Sequence, residues 1–259
     1  MTALAVGIDI GGTGIKGALV DTERGALAGE RVKVPTPEGG EPDAVLAVVS
    51  EMVAGFGPAA AGVPVGVCFP AIIRQGRTMS AANVSRRWIG LAAEELFEQA
   101  LQRDIHFVND ADAAGVAEAR FGAARGVDGL VIMTTLGTGI GSAFLYDGVL
   151  IPNTELGHLE IKGEDAETRA AFSAKERDDL DWKKWAKRLQ RFYEHVEFLF
   201  SPELLIVGGG VSKSHEEFLP LLELNTPIVP ATQRNNAGIL GAAWLATQPA
   251  HRNGEISVL

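Results

Sequence analysis

The chain has 259 residues, 46% hydrophobic and 22% charged, the balance of a soluble globular protein with room for one large domain or two ordinary ones. Its formal net charge of −10 argues against nucleic acid or an anionic membrane as the main partner. The single cysteine, Cys68, excludes an internal disulfide and a thiolate zinc cluster; with no signal-type segment and no apolar run near ~20 residues, a cytoplasmic chain is expected.

The first predicted element is the strand "ALAVGIDI". It runs into "GGTGIKGALVD", where Gly12, Gly14 and Gly17 match G-x-G-x-x-G. A dinucleotide site needs a helix after those glycines. Here "IKGALV" reads as a second strand, the turn "DTERG" follows, and "ALAGERVKV" alternates as a third. No G-K-[ST] follows either, so the P-loop reading also fails. The segment is a meander that opens on a glycine hairpin.

Asp9 stands just before that hairpin. Backbone N–H groups in a glycine loop suit an anion, and glycine lets the anion approach closely. A carboxylate beside a bound phosphate is repelled unless a metal bridges them, so Asp9 points to Mg²⁺ held partly through water. A plain turn-forming aspartate is the competing reading. Further on, "SRRW", Ser85 to Trp88, places a basic pair near a candidate sugar contact.

"RDIHFVND" reads as a strand ending in Asn109-Asp110, and "ADAAGVAEARFG" as a helix stopped by Gly122. Groups at strand carboxyl ends are placed for chemistry. Asp110 suits a base that accepts a hydroxyl proton while Asn109 holds a neighbouring oxygen; Asp110 suits an N-cap as well.

"GLVIMTTLGTGIGSAFLYDGVLI" then repeats strand, glycine turn, strand, turn, strand. G-T-G-I at Gly137 to Ile140 matches Gly12 to Ile15, with Thr138 at the place of Thr13. The repeat predicts two related halves, each opening on such a hairpin. In "NTELGHLEI", Glu155 and His158 lie three apart; if the segment is extended, His158 and Glu160 share a face, a pattern that suits a polyhydroxylated ligand.

"KKWAKRLQR" sets Lys184, Lys187, Arg188 and Arg191 mostly on one side of a helix. Such a stripe is either a solvated face or a track for a long polyanion. "ELLIVGGGVSKS" is a buried strand entering Gly208, Gly209 and Gly210, a loop suited to a flat ring or a phosphate. "NNAGILGAAWLA" reads as a helix whose Gly238 and Gly241 serve packing.

Taken in order, "GIDIGGTGIKG", "VNDADAA", "TLGTGIG", "ELGH" and "IVGGG" resemble the ROK sugar kinases over nearly the whole chain. "GVCFPA", "SPELLIVGGGVSKS" and "VEFLFSP" are similar to the polyphosphate-using glucokinase branch, including members that accept mannose. The resemblance implies an α/β chain of the actin-like ATPase (ribonuclease H-like) fold, with two lobes around a central cleft. Residues 1–108 would form a small lobe, 109–236 a large lobe, and a C-terminal helix at about 237–259 would return to the small one.

The implied activity is phosphoryl transfer from inorganic polyphosphate or ATP, with Mg²⁺, to the 6-hydroxyl of glucose or mannose. A homodimer is the implied assembly, although no interface is legible. The resemblance assigns Asp110 as the base; Asn83, Asn109, Glu155 and His158 as sugar contacts; and Glu167, with Glu160 as rival, as a further one. It places donor phosphates at Asp9, Gly11, Gly12, Thr13 and Lys16 and at Thr135, Gly137, Thr138 and Gly139, and adenosine at Gly208 to Gly210. Many members carry a cysteine-rich zinc motif after E-x-G-H; "LEIKGEDAETRAAFSAKERDD" has no cysteine, so no structural zinc is expected. Sugar-binding regulators of this family usually carry an N-terminal helix-turn-helix, whereas here the first strand begins close to Met1. A kinase for N-acylated amino sugars and an actin-type structural ATPase are the remaining alternatives.

Overall fold

The hairpin read from the sequence is the first element of the computed structural model, which describes residues 3–81 and 83–249. β1 (Leu4–Ile10) and β2 (Ile15–Asp21) pair antiparallel, Ile10 opposite Ile15. Gly17 lies inside β2, so no helix springs from it and the dinucleotide reading is excluded.

The expected third strand is broken. β3 (Ala26–Leu27) pairs with Val20 and Asp21, and β4 (Val32–Val34) pairs with Ile15 to Gly17. Gly29 offers no side chain to pack, and the exposed Glu30 and Arg31 carry the chain off the ladder between them.

α1 (Pro42–Gly55) has proline at its first position and buries Val45, Val49, Met52 and Val53, a helical spacing. β5 (Val65–Phe69), the ribbon β6 (Ile73–Arg74) and β7 (Arg77–Thr78), α2 (Ala93–Leu101), β8 (His106–Asn109) and α3 (Asp110–Phe121) follow. The sheet runs β3-β2-β1-β5-β8, with β5 and β8 parallel to β1.

The second sheet repeats this path. β9 (Leu130–Leu136), β10 (Ile140–Tyr146) and β11 (Val149–Ile151) form its meander. The ribbon β12 (Glu160–Ile161) and β13 (Glu164–Asp165), then α4 (Glu167–Ala170), α5 (Phe172–Arg177) and α6 (Trp182–Phe200), lead to β14 (Leu204–Gly208) and β15 (Ile228–Pro230). The order is β11-β10-β9-β14-β15, with β14 and β15 parallel to β9. β1 and β9 share one burial sequence, a partly exposed residue, four buried, one partly exposed, one buried, and β5 and β14 are buried throughout. The match of Gly12–Ile15 with Gly137–Ile140 is therefore part of a repeated sheet.

Contacts divide the chain into two compact units: one runs to Ala113 and resumes at Gly238, and the other is Ala114–Ala237. The core of the first joins Ile8, Ile10, Val49, Phe69, Trp88 and Phe97; that of the second joins Ile132, Leu136, Trp185, Leu189, Phe192 and Phe218. Each such side chain contributes about 1.5–3 kcal/mol of burial.

α7 (Ala237–Ala246) stops short of the expected helix at about 237–259; residues 250–259 lie outside the described part. It lies on the backbone of the first sheet. Gly7 and Gly66 are register partners, and a Cβ on them would come within 2.0 Å of the Ile239 carbonyl oxygen and 1.9 Å of that of Ala242. Gly241 meets the Ala113 carbonyl in the same way, at 1.8 Å. Alanine at any of these places would push the helix off.

Candidate functional site residues in each unit

The first hairpin closes with the Gly11 N–H on the Gly14 carbonyl at 3.1 Å. The N–H groups of Gly12 and Thr13 have no partner among the described residues. Thr36, in "VPTPE", donates its hydroxyl to the Gly11 carbonyl at 2.5 Å. In a trans peptide the C=O and the following N–H point oppositely, so this bond turns the Gly12 N–H away from Thr36. Thr13 is exposed at the tip. Gly12 must be glycine because a Cβ there would lie 2.6 Å from the Asn83 Cβ, which also places Asn83 against the loop. Asn83 holds a left-handed backbone, φ 61°, which asparagine tolerates.

Asp9 is partly exposed near the end of β1, opposite Lys16 on β2, and the Lys16 ammonium donates to its carboxylate at 2.8 Å. A Cβ on Gly238, in the first turn of α7, would sit 3.0 Å from both the Asp9 Cγ and the Cys68 Sγ. So Gly238 does more than pack helices: it leaves space for a carboxylate. Burial, then the charges of Asp9 and Asp110, push the Cys68 thiol well above its ordinary value. Cys68 is the register partner of both Asp9 and Val108, so it stands between Asp9 and the strand that leads to Asp110.

The cap of α3 is Asn109 rather than Asp110. The Asn109 Oδ1 accepts the Ala111 N–H at 2.8 Å and the Asp112 N–H at 3.0 Å, and its amide donates to the Ala71 carbonyl at 3.0 Å. This corrects the N-cap reading of Asp110. It also limits Asn109 as a sugar contact to its second amide N–H. Asp110 accepts the Ala111 N–H at 2.9 Å and stands at the carboxyl end of β8.

In the second unit, the Gly137 N–H closes its hairpin on the Gly139 carbonyl at 3.0 Å. Ser173 donates its N–H to the Gly137 carbonyl at 3.0 Å and its hydroxyl to the Thr138 carbonyl at 2.6 Å. Ser173 thus does here what Thr36 does in the first unit, and it turns the Gly139 N–H outward. Glu167 accepts the Ile140 N–H at 3.1 Å, and a Cβ on Gly139 or Gly157 would meet its Oε2 at 2.4 or 2.8 Å. Only the Thr138 and Gly139 amides remain for an anion. Thr135 occupies in β9 the place of Asp9 in β1, and its register partner is Gly141 where Asp9 has Lys16. The charged pair belongs to the first unit alone.

"ELGH" is not extended. Leu156–His158 form a 3₁₀ turn closed by the His158 N–H on the Glu155 carbonyl at 3.1 Å, so His158 and Glu160 do not share a strand face. The turn brings Glu155 and His158 together with Glu167. Burial pushes the Glu155 carboxyl above its ordinary value, His158 pulls it back, and Glu167 raises it again. His158 is raised chiefly by Asp165, whose carboxylate lies 2.8 Å from Nδ1, with Glu167 and Glu155 adding to it. Glu160 is exposed and enters neither coupling. Gly209, at φ 82°, has no room for a Cβ against the Leu136 backbone, and Gly208 packs on Met133; Gly210 alone faces open space.

Sequence reasoning missed Thr36 and Ser173. The only local trace was a hydroxyl fixed between two prolines, Pro35 and Pro37. On the basic stripe of α6, two of the four cations have acidic partners. Arg188 is turned inward to Asp178, at 2.6 Å, and to the Arg169 carbonyl; Lys184 leans on the helix cap Asp181 at 3.6 Å. Arg188 and Arg191 border a cavity of about 260 Å³ shared with Arg169, Lys162, Glu164 and Asp165, so its charge is mixed. In "SRRW", Ser85 caps a short turn, Arg87 pairs with Glu41 at 2.9 Å and Trp88 is buried.

Among the described residues, no three His, Cys, Asp or Glu side chains are grouped to hold a metal. One carboxylate beside a loop of unpaired amides would fit an ion that takes its other ligands from a bound anion and water, as Mg²⁺ does. No helix of the described residues is long and apolar enough to cross a membrane.

Comparison with known proteins adds the following. Residues 5–174 match the model of the ROK family. The polyphosphate glucokinase of Mycobacterium tuberculosis (strain CDC 1551 / Oshkosh) is 48% identical over 238 residues, 92% of this chain and 89% of that protein. The crystal structure of inorganic polyphosphate/ATP-glucomannokinase from Arthrobacter sp. strain KM superposes with a TM-score of 0.90 at 56% identity, over 94% of this chain and 98% of that one. A ROK family glucokinase from Streptomyces griseus, in complex with glucose and AMPPNP, shares the fold at 24% identity and a TM-score of 0.79, over 95% of this chain and 100% of that one.

Proposed function

The chain belongs to the ROK family, and from that membership we propose that it transfers the terminal phosphoryl group of inorganic polyphosphate or ATP to the 6-hydroxyl of glucose and of mannose. It is a phosphotransferase with the actin-like ATPase architecture of the ROK sugar kinases. Relatives named for polyphosphate and ATP, at 48% and 56% identity, support both donors. The observation that carries the reading is the arrangement at β8: Asn109 caps α3, and Asp110 follows the strand whose Val108 is the register partner of Cys68, itself the partner of Asp9.

Asp110 takes the proton of the sugar hydroxyl as its oxygen bonds to phosphorus and the donor's P–O bond breaks. The amides of Gly12 and Thr13 are the donor-phosphate contacts of the first unit, and those of Thr138 and Gly139 are the ones the second unit offers. Gly11 and Gly137 shape those loops, and Thr135 flanks the second. Glu155, His158 and Glu167 hold sugar hydroxyls, and Asn83 with the remaining Asn109 N–H add to them. Gly210 opens the adenosine side, on the support of Gly208 and Gly209. Kinases work with a divalent metal; Asp9 would hold Mg²⁺ here, and that ion would neutralise charge on the transferred group. A homodimer through the apolar face of β10, β11 and the end of α6 belongs to the same proposal.

The test is a panel assay. Purified protein with Mg²⁺ is given hexoses and N-acetylhexosamines with either donor, and the 6-phosphates are measured. Glucose 6-phosphate and mannose 6-phosphate from both donors are expected. Product from N-acetylhexosamines alone, or from neither donor, overturns the reading.

A further inference from the structure

Three strands of the first sheet place charged residues in one row. Asp9 on β1 is the register partner of Lys16 on β2, and Lys16 is the partner of Lys33 on β4. Direct partners share a sheet face, so the three side chains follow one another outward from the Asp9 carboxylate. Lys16 is neutralised, with its ammonium 2.8 Å from Asp9. Lys33 is exposed and makes no ion pair among the described residues. Its stem lies over the hairpin: a Cβ on Gly14 would stand 3.0 Å from the Lys33 Cε. The absent side chain of Gly14 is what lets an ammonium reach the phosphate-facing loop, and Thr36, three residues on, fixes β4 to that loop through Gly11.

We propose that Lys33 binds the donor phosphates behind the transferred group and is a determinant of polyphosphate use. This rests on the donor reading given above. An extended polyphosphate has only repeated anionic groups to offer and depends on each cation along its path, whereas ATP also presents a base and a ribose. The stripe on α6 is the weaker candidate for that path, because Arg188 and Lys184 are already paired and acids share the adjoining cavity.

The experiment compares wild type, Lys33→Gln, Lys33→Arg and the control Lys187→Gln. Turnover is read with long-chain polyphosphate and with ATP, and tripolyphosphate binding is read separately by calorimetry. Lys33→Gln is expected to raise the polyphosphate KM about tenfold, the scale of one charge-assisted phosphate contact. The ATP KM should move less and the glucose KM not at all. The slope of log affinity against log salt should fall by roughly 0.7–0.9, as for one lost phosphate contact. Lys33→Arg should restore most of the affinity, and Lys187→Gln should change nothing. If wild type turns over polyphosphate while Lys33→Gln keeps wild-type tripolyphosphate binding and salt slope, the inference fails and the donor reading stands. If Lys33→Gln loses tripolyphosphate binding but wild type shows no polyphosphate turnover, the phosphate site stands and the donor reading fails.

Discussion

Asn109 caps α3, and the base role proposed for its neighbour Asp110 is testable apart from that cap. Asn109 spends its Oδ1 on two helix N–H groups, so a change at Asp110 leaves the start of α3 capped. Asp110→Asn should lower kcat roughly 10²–10⁴-fold, the range of a removed general base. Glucose binding by calorimetry and the melting temperature should stay near wild type; substantial remaining turnover would move the base elsewhere. His158 offers a titration instead. Its folded pKa is raised, first by Asp165. The stabilising contact is therefore complete below the ordinary histidine value and is lost as pH rises through the raised one. In Asp165→Asn the NMR midpoint of His158 should fall toward the ordinary value. The stability gap between wild type and variant should close above the wild-type midpoint, and an unmoved midpoint would deny Asp165 its part. The residue types here were legible from "VND" and "ELGH". Their division of labour was not, because capping and ion pairing depend on which side chain folds back on which backbone group.

At the level of elements, each glycine hairpin is clamped from behind by a hydroxyl distant in sequence, Thr36 on Gly11 and Ser173 on Thr138. The clamps keep the Gly12 and Gly139 amides turned outward. Thr36→Val keeps the shape and removes the donor. Losing one such bond corresponds to about 1 kcal/mol, or about fivefold, and the effect should appear in the KM for both donors. The sugar KM and the unfolding midpoint should change little, and Thr36→Ser should restore the donor KM. An equal rise in the sugar KM would mean a general loosening rather than a clamp. The hairpins themselves were legible because their loops need glycine, and glycine is visible in a sequence. The clamps were not, since a threonine between two prolines and a lone serine do not show which distant carbonyl each will meet. The third strand was misread because alternation continues across Gly29, where the pleat loses a packing partner. The 3₁₀ turn at Leu156–His158 was misread because too few residues separate Glu155 from Glu160 to show a period.

For the whole molecule, the internal repeat foretold two sheets of one design, and both follow the same strand path. What differs between them is chemistry at matching places: Asp9 and Lys16 in one, Thr135 and Gly141 in the other. Assembly left no trace in the sequence, because an interface patch is drawn from separate elements. In the structure, Phe144 and Tyr146 of β10 and their partners Ile151 and Val149 on the edge strand β11 share a face. Phe200 meets Phe144 edge-on at 5.0 Å, which joins the end of α6 to that face. Val149 is 63% exposed and Phe198 82%, with Tyr146, Ile151 and Leu199 also open. A chain of net charge −10 that leaves such apolar side chains exposed has a surface suited to its own copy. A two-fold axis sets an apolar patch against itself with no need for opposite charge. Wild type should therefore run at dimer mass by light scattering at micromolar concentration. Val149→Glu with Phe198→Glu sets acids against acids across the axis and should give a folded monomer, with its circular dichroism unchanged. A monomeric wild type, or a double variant that stays dimeric, would remove this face from the assembly.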